Sequence, residues 1–200
     1  MISVIMPLGQ RHRRWTFWVA RGVLYIAASA LSGALVGGLV AAIGGVAEHV
    51  LPAVVLFGLA GLLGLAYGLH ELGIFHLPHP EHKWQVPNEW IARRPLFGAV
   101  AFGLTIGAGV FTFIPFTSFY VLLAWELALG NVWAGALLGA AYGLARGLPV
   151  ITGGVVTGRG GSIVPVHLRI LGATPGIHRA TAGLLVLSAL ALGLPLLLGH

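Results

Sequence analysis

The chain has 200 residues, of which 58% are hydrophobic and 8% charged. Soluble domains carry about 25% charged residues, so this composition excludes an ordinary soluble domain and fits one helical membrane domain over residues 1–200. The net charge of +6 sits in short basic segments between apolar runs, which argues against a nucleic-acid partner.

Two residue types are missing altogether. Without cysteine the chain has no disulfide, thiolate metal site or thiol redox chemistry. Without aspartate it cannot assemble a Ser-His-Asp triad, and its acids are Glu48, Glu71, Glu81, Glu89 and Glu126. No enzyme activity and no cofactor are expected.

The first apolar run, 15–43, is too long for a cleaved signal segment, whose core is about 7–15 residues. It is read as a retained span over 19–44, preceded by Arg11, Arg13 and Arg14. Trp15, Trp18 and Tyr25 suit its inner end, where amphipathic rings favour the interface. Gly33 and Gly37 give it a small-residue face. A second span is expected at 51–72, after a turn holding Glu48, His49 and Pro52.

A polar cytoplasmic loop follows over 73–95. Pro78 and Pro80 favour an extended polyproline conformation, with His76, His79 and His82 along one edge about 9 Å apart. Two neighbours could share a metal; three could not without a turn, so the loop reads as solvated and pH-sensitive. Pro87, Trp90, Arg93 and Arg94 suit a segment lying along the inner surface.

The third apolar run, 96–129, would reach about 50 Å as one straight helix, beyond a membrane core of about 30 Å. Pro115 is where it is expected to break, because proline lacks an N–H and clashes with the preceding turn. Thr112, Thr117 and Ser118 offer hydroxyls to the freed backbone groups. Either this is a plain kink, or it is a broken helix lining a binding site. Glu126 is placed near the outer end, within reach of water, too far in depth from Arg146 to pair with it.

The fourth span, 132–156, carries Gly135, Gly139, Gly143 and Gly147 at a spacing of four, a groove that admits another backbone closely. Gly103 and Gly107 repeat the device in the third run. Arg146 lies as far after the outer turn as Ile114 lies before it, so antiparallel neighbours bring it to the depth of the break. There it could satisfy open carbonyls or attract an anion. Alternatively it snorkels inward from a helix that ends early at Pro149. The fifth span is 177–198.

With the N-terminus inside, the inner segments hold Lys83, Arg93, Arg94, Arg159, Arg169 and Arg179 besides the first three arginines, and the outer turns hold none. The expected fold is therefore all-α and polytopic, with about five spans, the N-terminus cytoplasmic and the C-terminus outside.

The stretch AFGLTIGAGVFTFIPFTSFYVLLAWELALGNVWAGALLGAAYGLARGLPV resembles the second half of the transmembrane thiol–disulfide carriers, the CcdA/DsbD family of cytochrome c biogenesis. The run YGLARGLP, Tyr142 to Pro149, looks like the motif closing that family's next helix, and residues 14–72 resemble its first repeat more loosely. The resemblance implies a membrane scaffold with a broken helix at its midplane. Only 14 residues precede Trp15, so the family's first helix is either lost or upstream of a misassigned start. Both reactive cysteines are gone, with Ile114 to Phe116 where the second should fall, which excludes thiol electron transfer.

Combined, these readings predict a multi-pass protein of the cell membrane that works as a permease for an ion or small solute. Its binding residues would be Thr112, Pro115, Thr117, Ser118 and Arg146. The other reading is a non-catalytic subunit or assembly factor whose glycine seams bind a membrane partner or a second copy. The lipid bilayer is the expected partner in both.

Overall fold

The computed structural model describes residues 15–77, 95–109, 117–158 and 164–198. Every regular element among them is an α-helix: α1 Trp15–Ala47, α2 Ala53–Glu71, α3 Pro95–Gly107, α4 Ser118–Leu129, α5 Val132–Gly158 and α6 Val164–Leu198. The all-α expectation holds for these residues, and several of the expected boundaries move.

The junctions follow from local chemistry. After α1, Glu48 N–H reaches Gly44 at 3.0 Å and Leu51 N–H reaches Ala47 at 2.9 Å. Pro52 then takes an extended backbone and begins α2. Helix α2 stops at a glycine with a left-handed backbone, Gly73 at φ +76°. Gly73 N–H bonds His70 at 2.8 Å and Ile74 N–H bonds Leu69 at 3.1 Å, which closes the helix end with a Schellman pair. Helix α3 starts on Pro95, where a missing N–H costs nothing.

The long apolar run is two helices. Helix α3 ends at Gly107, followed by Gly109 at φ +70°, and α4 begins at Ser118. At 1.5 Å per residue each is about 20 Å long, short of a membrane core on its own. Pro115 and Thr112, the expected point of fracture and its neighbour, lie outside the described residues. Between α4 and α5, Gly130 turns the chain at φ +58°. Asn131 Oδ1 then accepts the N–H groups of Trp133 at 3.0 Å and Ala134 at 3.1 Å, capping α5.

Helix α5 continues through Pro149 to Gly158, so the alternative of an early end at that proline is not found. Helix α6 starts at Val164, well before the expected position 177. Among the described residues two helices have the length and apolarity to cross a membrane, Val19–Ala47 and Ala53–Glu71. Leu96–Gly107 and Ser118–Leu129 are apolar but shorter.

The chain divides into two compact units. One comprises Met1–Leu35, His82–Phe113 and Gly139–Leu171; the other comprises Val36–Glu81, Ile114–Leu138 and Gly172–His200. In the first, Tyr25, Ala99, Phe102 and Ile106 form a core, with the Tyr25 and Phe102 rings stacked at 5.7 Å. Tyr25 is fully buried there, so it is a packing residue and not the interfacial ring expected of it. In the second, Leu56, Ala60 and Ala128 form one cluster and Tyr67, Val121 and Leu185 another. These clusters join α2 to α4 and α6.

Candidate functional site

In the first unit α1, α3 and α5 meet at Ser29, which is buried. Its hydroxyl donates to the Gly143 carbonyl at 2.8 Å. A side chain at Gly107 or Gly143 would overlap the Ser29 backbone, one at Gly103 the Tyr25 carbonyl, and one at Gly139's partner Gly33 the Gly139 carbonyl. One turn along α1, Ser32 donates to the Leu104 carbonyl at 2.6 Å. These glycines let three backbones touch, and the serines bond across the seams, a packing mode suited to helices in lipid.

Arg146 adds further polar contacts in this unit. Its guanidinium donates to Tyr142 Oη at 2.9 Å and to the Ile106 carbonyl at 3.3 Å. Ile106 belongs to the last turn of α3, where the helix dipole is negative, and its carbonyl also accepts the Gly109 N–H at 3.1 Å. The guanidinium also lies 5.8 Å from the Tyr142 ring centre, within cation–π range. Arg146 is thus a C-terminal cap for α3.

The second unit holds the most concentrated polar chemistry. Glu71, the last residue of α2, has a side chain only 3% exposed. Its Oε1 accepts the Thr117 N–H at 2.9 Å and the Thr117 hydroxyl at 2.7 Å. Its Oε2 pairs with Nδ1 of His178 on α6, whose side chain is 35% exposed. Thr117 precedes α4 but does not cap it with its own hydroxyl. The Glu71 carboxylate takes that place, at the positive end of the α4 dipole. One group therefore ties the ends of α2 and α4 to α6. Beside it the Tyr67 and Tyr120 rings stack at 5.9 Å, and His70 Nδ1 accepts the Leu77 N–H at 3.0 Å.

The expected binding set is therefore not one constellation. Thr117 and Ser118 belong to the second unit and Arg146 to the first, while Thr112 and Pro115 are outside the described residues. His76 has its ring 6.0 Å from that of His70, and His79 and His82 lie outside the described residues. No group of three or more metal-binding side chains occurs among the described residues. Glu126, expected near water, is 1% exposed. It lies on the face of α4 that meets Gly37 of α1, not on the face toward solvent.

Residues Glu71 and His178 were not singled out as a pair in the sequence. They stand 107 positions apart, at the ends of two different helices, so no spacing motif announces them. The available signal was weaker: ionisable residues at the ends of apolar runs.

The glycine seams pack inside the chain. Gly139, Gly143 and Gly147 of α5 face Gly33, Ser29 and Ile26 of α1, and Gly135 faces Gly37. This surface is consumed inside the chain and does not present a groove to a partner.

The described residues define an all-helical arrangement, with apolar helices joined by glycine seams and a few buried polar ties. The chain is similar to the methylamine utilization protein MauF of Paracoccus versutus, 32% identical over 152 residues, which is 74% of this chain and 55% of that protein. It is 29% identical to MauF of Paracoccus denitrificans over 151 residues, 74% of this chain and 54% of that one. Against MauF of Methylorubrum extorquens it is 36% identical over 100 residues, covering 48% and 35%. The chain spans about half the length of the curated relatives it matches. No family model matches it. No solved structure matches it.

These findings overturn the likeness to the CcdA/DsbD carriers. The matched relatives are methylamine utilization proteins, and no family model supports the carrier family. Glycine-rich apolar helices interrupted by proline are a solution any close-packed membrane bundle can reach, so that likeness did not identify a lineage. The permease reading, and with it transport and cytochrome c biogenesis, falls on the same evidence.

Proposed function

We propose that this protein is a membrane-embedded accessory component of methylamine utilization with no catalytic step of its own. The observation carrying this is the common name of relatives matched over 74% of the chain. The buried polar groups favour a structural reading too, since Ser29, Ser32, Arg146 and Glu71 all serve helix contacts or helix ends.

The membrane reading takes five crossings. It is supported by the absence of lysine and arginine from the outer turns at 45–51 and 130–131. It is also supported by α1, where Leu31, Leu35, Leu39 and Ile43 are exposed at a spacing of four. That stripe suits lipid tails, and the cell membrane is the location it implies.

The test is a chimera in Paracoccus versutus, with the aligned stretch of its MauF replaced by the matching residues of this chain. Growth on methylamine is expected to persist. Loss of that growth, with the chimera present in the membrane at the parental level, would contradict the proposal.

A further inference from the structure

A single imidazole nitrogen holds the turn that follows α2. His70 Nδ1 accepts the Leu77 N–H at 3.0 Å and also stands 3.2 Å from the Phe75 carbonyl oxygen. A donor and an acceptor thus converge on an atom that can serve only one of them at a time. With the ring neutral and its hydrogen on Nε2, Nδ1 offers a lone pair and takes the Leu77 N–H. In the imidazolium both nitrogens carry hydrogen. Nδ1 then donates to the Phe75 oxygen, and the Leu77 N–H is left facing another N–H.

This exchange reaches the core of the second unit. Leu77 is half-buried and packs against the cluster of Tyr67, Val121 and Leu185, which joins α2, α4 and α6. Its bond to His70 therefore holds a side chain of the turn onto the seam between three helices. The titratable groups around the His70 ring come from each neighbouring element. On its own helix Tyr67 lies edge-on at 6.4 Å and is stacked in turn on Tyr120 of α4, and across the turn the His76 ring lies at 6.0 Å. Glu71 is the next residue, and its carboxylate is engaged by Thr117 and by His178 of α6. Imidazole is the side chain that ordinarily changes charge between about pH 5 and 8. Of the three histidines here, His70 is the one bonded to the backbone that positions Leu77.

We propose that His70 is a proton switch for the turn 73–77. The neutral ring docks Leu77 on the α2–α4–α6 core, and the protonated ring releases it. Docking is complete while the ring is neutral and is lost as pH falls through the titration of His70.

The chain has no cysteine, so a single introduced one reports the docking. Leu77→Cys keeps the backbone N–H and places the thiol in the cluster, and Ile74→Cys, at an exposed position of the same turn, is its reference. The full chain in detergent is reacted with a methanethiosulfonate reagent from pH 8 down to about pH 5. The rate at position 77 is divided by that at position 74, which cancels the common change in thiolate fraction. The ratio is expected to rise about 2–10-fold as pH falls, the worth of one hydrogen bond. His70→Asn, whose amide oxygen accepts the Leu77 N–H at every pH, is expected to hold the ratio constant, and His76→Asn to leave the rise intact. A constant ratio in the otherwise unchanged chain overturns the switch. So does an undiminished rise in His70→Asn, which would assign the response to another group such as the Glu71–His178 pair. Should His70→Asn not fold, loss of the rise in His76→Asn overturns it instead.

Discussion

Ser29 donates its hydroxyl to the Gly143 carbonyl at 2.8 Å, and the same stretch of α1 backbone occupies the space that side chains at Gly107 and Gly143 would need. A single small residue thus sets the separation of three helices in the first unit.

Gly143→Leu is therefore expected to lower stability by about 1–3 kcal/mol or more, because the enlarged side chain must push α1 away. Gly172→Ala, where nothing lies within 4 Å, is the matched control and should melt like the wild type. Thermal melts of both variants in one detergent check this. Equal melting of the two would mean that the α1–α5 seam does not limit stability.

Removing the Glu71 carboxyl leaves the Thr117 N–H and hydroxyl unpaired at the start of α4. Glu71→Ala is expected to cost about 1–3 kcal/mol. Thr117→Val removes one of the two bonds and should cost less. A double-mutant cycle between Glu71 and His178 should give a favourable coupling energy. A coupling of zero would show that the pair adds nothing to the docking of α6.

Arg146 caps α3 through the Ile106 carbonyl and braces itself on Tyr142. Arg146→Leu removes one of two donors to that carbonyl, which keeps the Gly109 N–H at 3.1 Å, and is expected to destabilise the chain by about 0.5–1.5 kcal/mol. Tyr142→Phe keeps the aromatic face and removes only the hydroxyl, so its effect should be the smaller. The comparison of the two melts is the measurement.

The absence of cysteine makes topology directly readable. His49→Cys is expected to react with a membrane-impermeant maleimide from outside the cell, and Lys83→Cys only after the inner face is opened. Labelling of both from the same side would break the five-crossing arrangement.

Much of the fold was legible because it depends on local rules. Apolar length marks helices such as α1 and α2, Gly73 marks the end of α2, and Gly130 and Asn131 mark the turn between α4 and α5. The division of the third run was legible for the same reason. Glycine at a spacing of four marked the close-packed face of α5, but its partner could not be read, because both a neighbouring helix and a separate protein offer apolar backbone. The alternative of an early end at Pro149 fails because a long apolar helix held by its neighbours tolerates one missing bond, and α5 runs on. The polar ties escaped because each joins residues far apart in the chain. Glu126 was misplaced because its height along α4 suggested water, whereas its facing, toward Gly37, decides its burial.

The most direct test of the central claim is growth after deletion of the gene in its own host. The account predicts that growth on methylamine is lost, that growth on another carbon and nitrogen source is unchanged, and that the restored gene recovers the former. A deletion strain that grows on methylamine at the parental rate would contradict it.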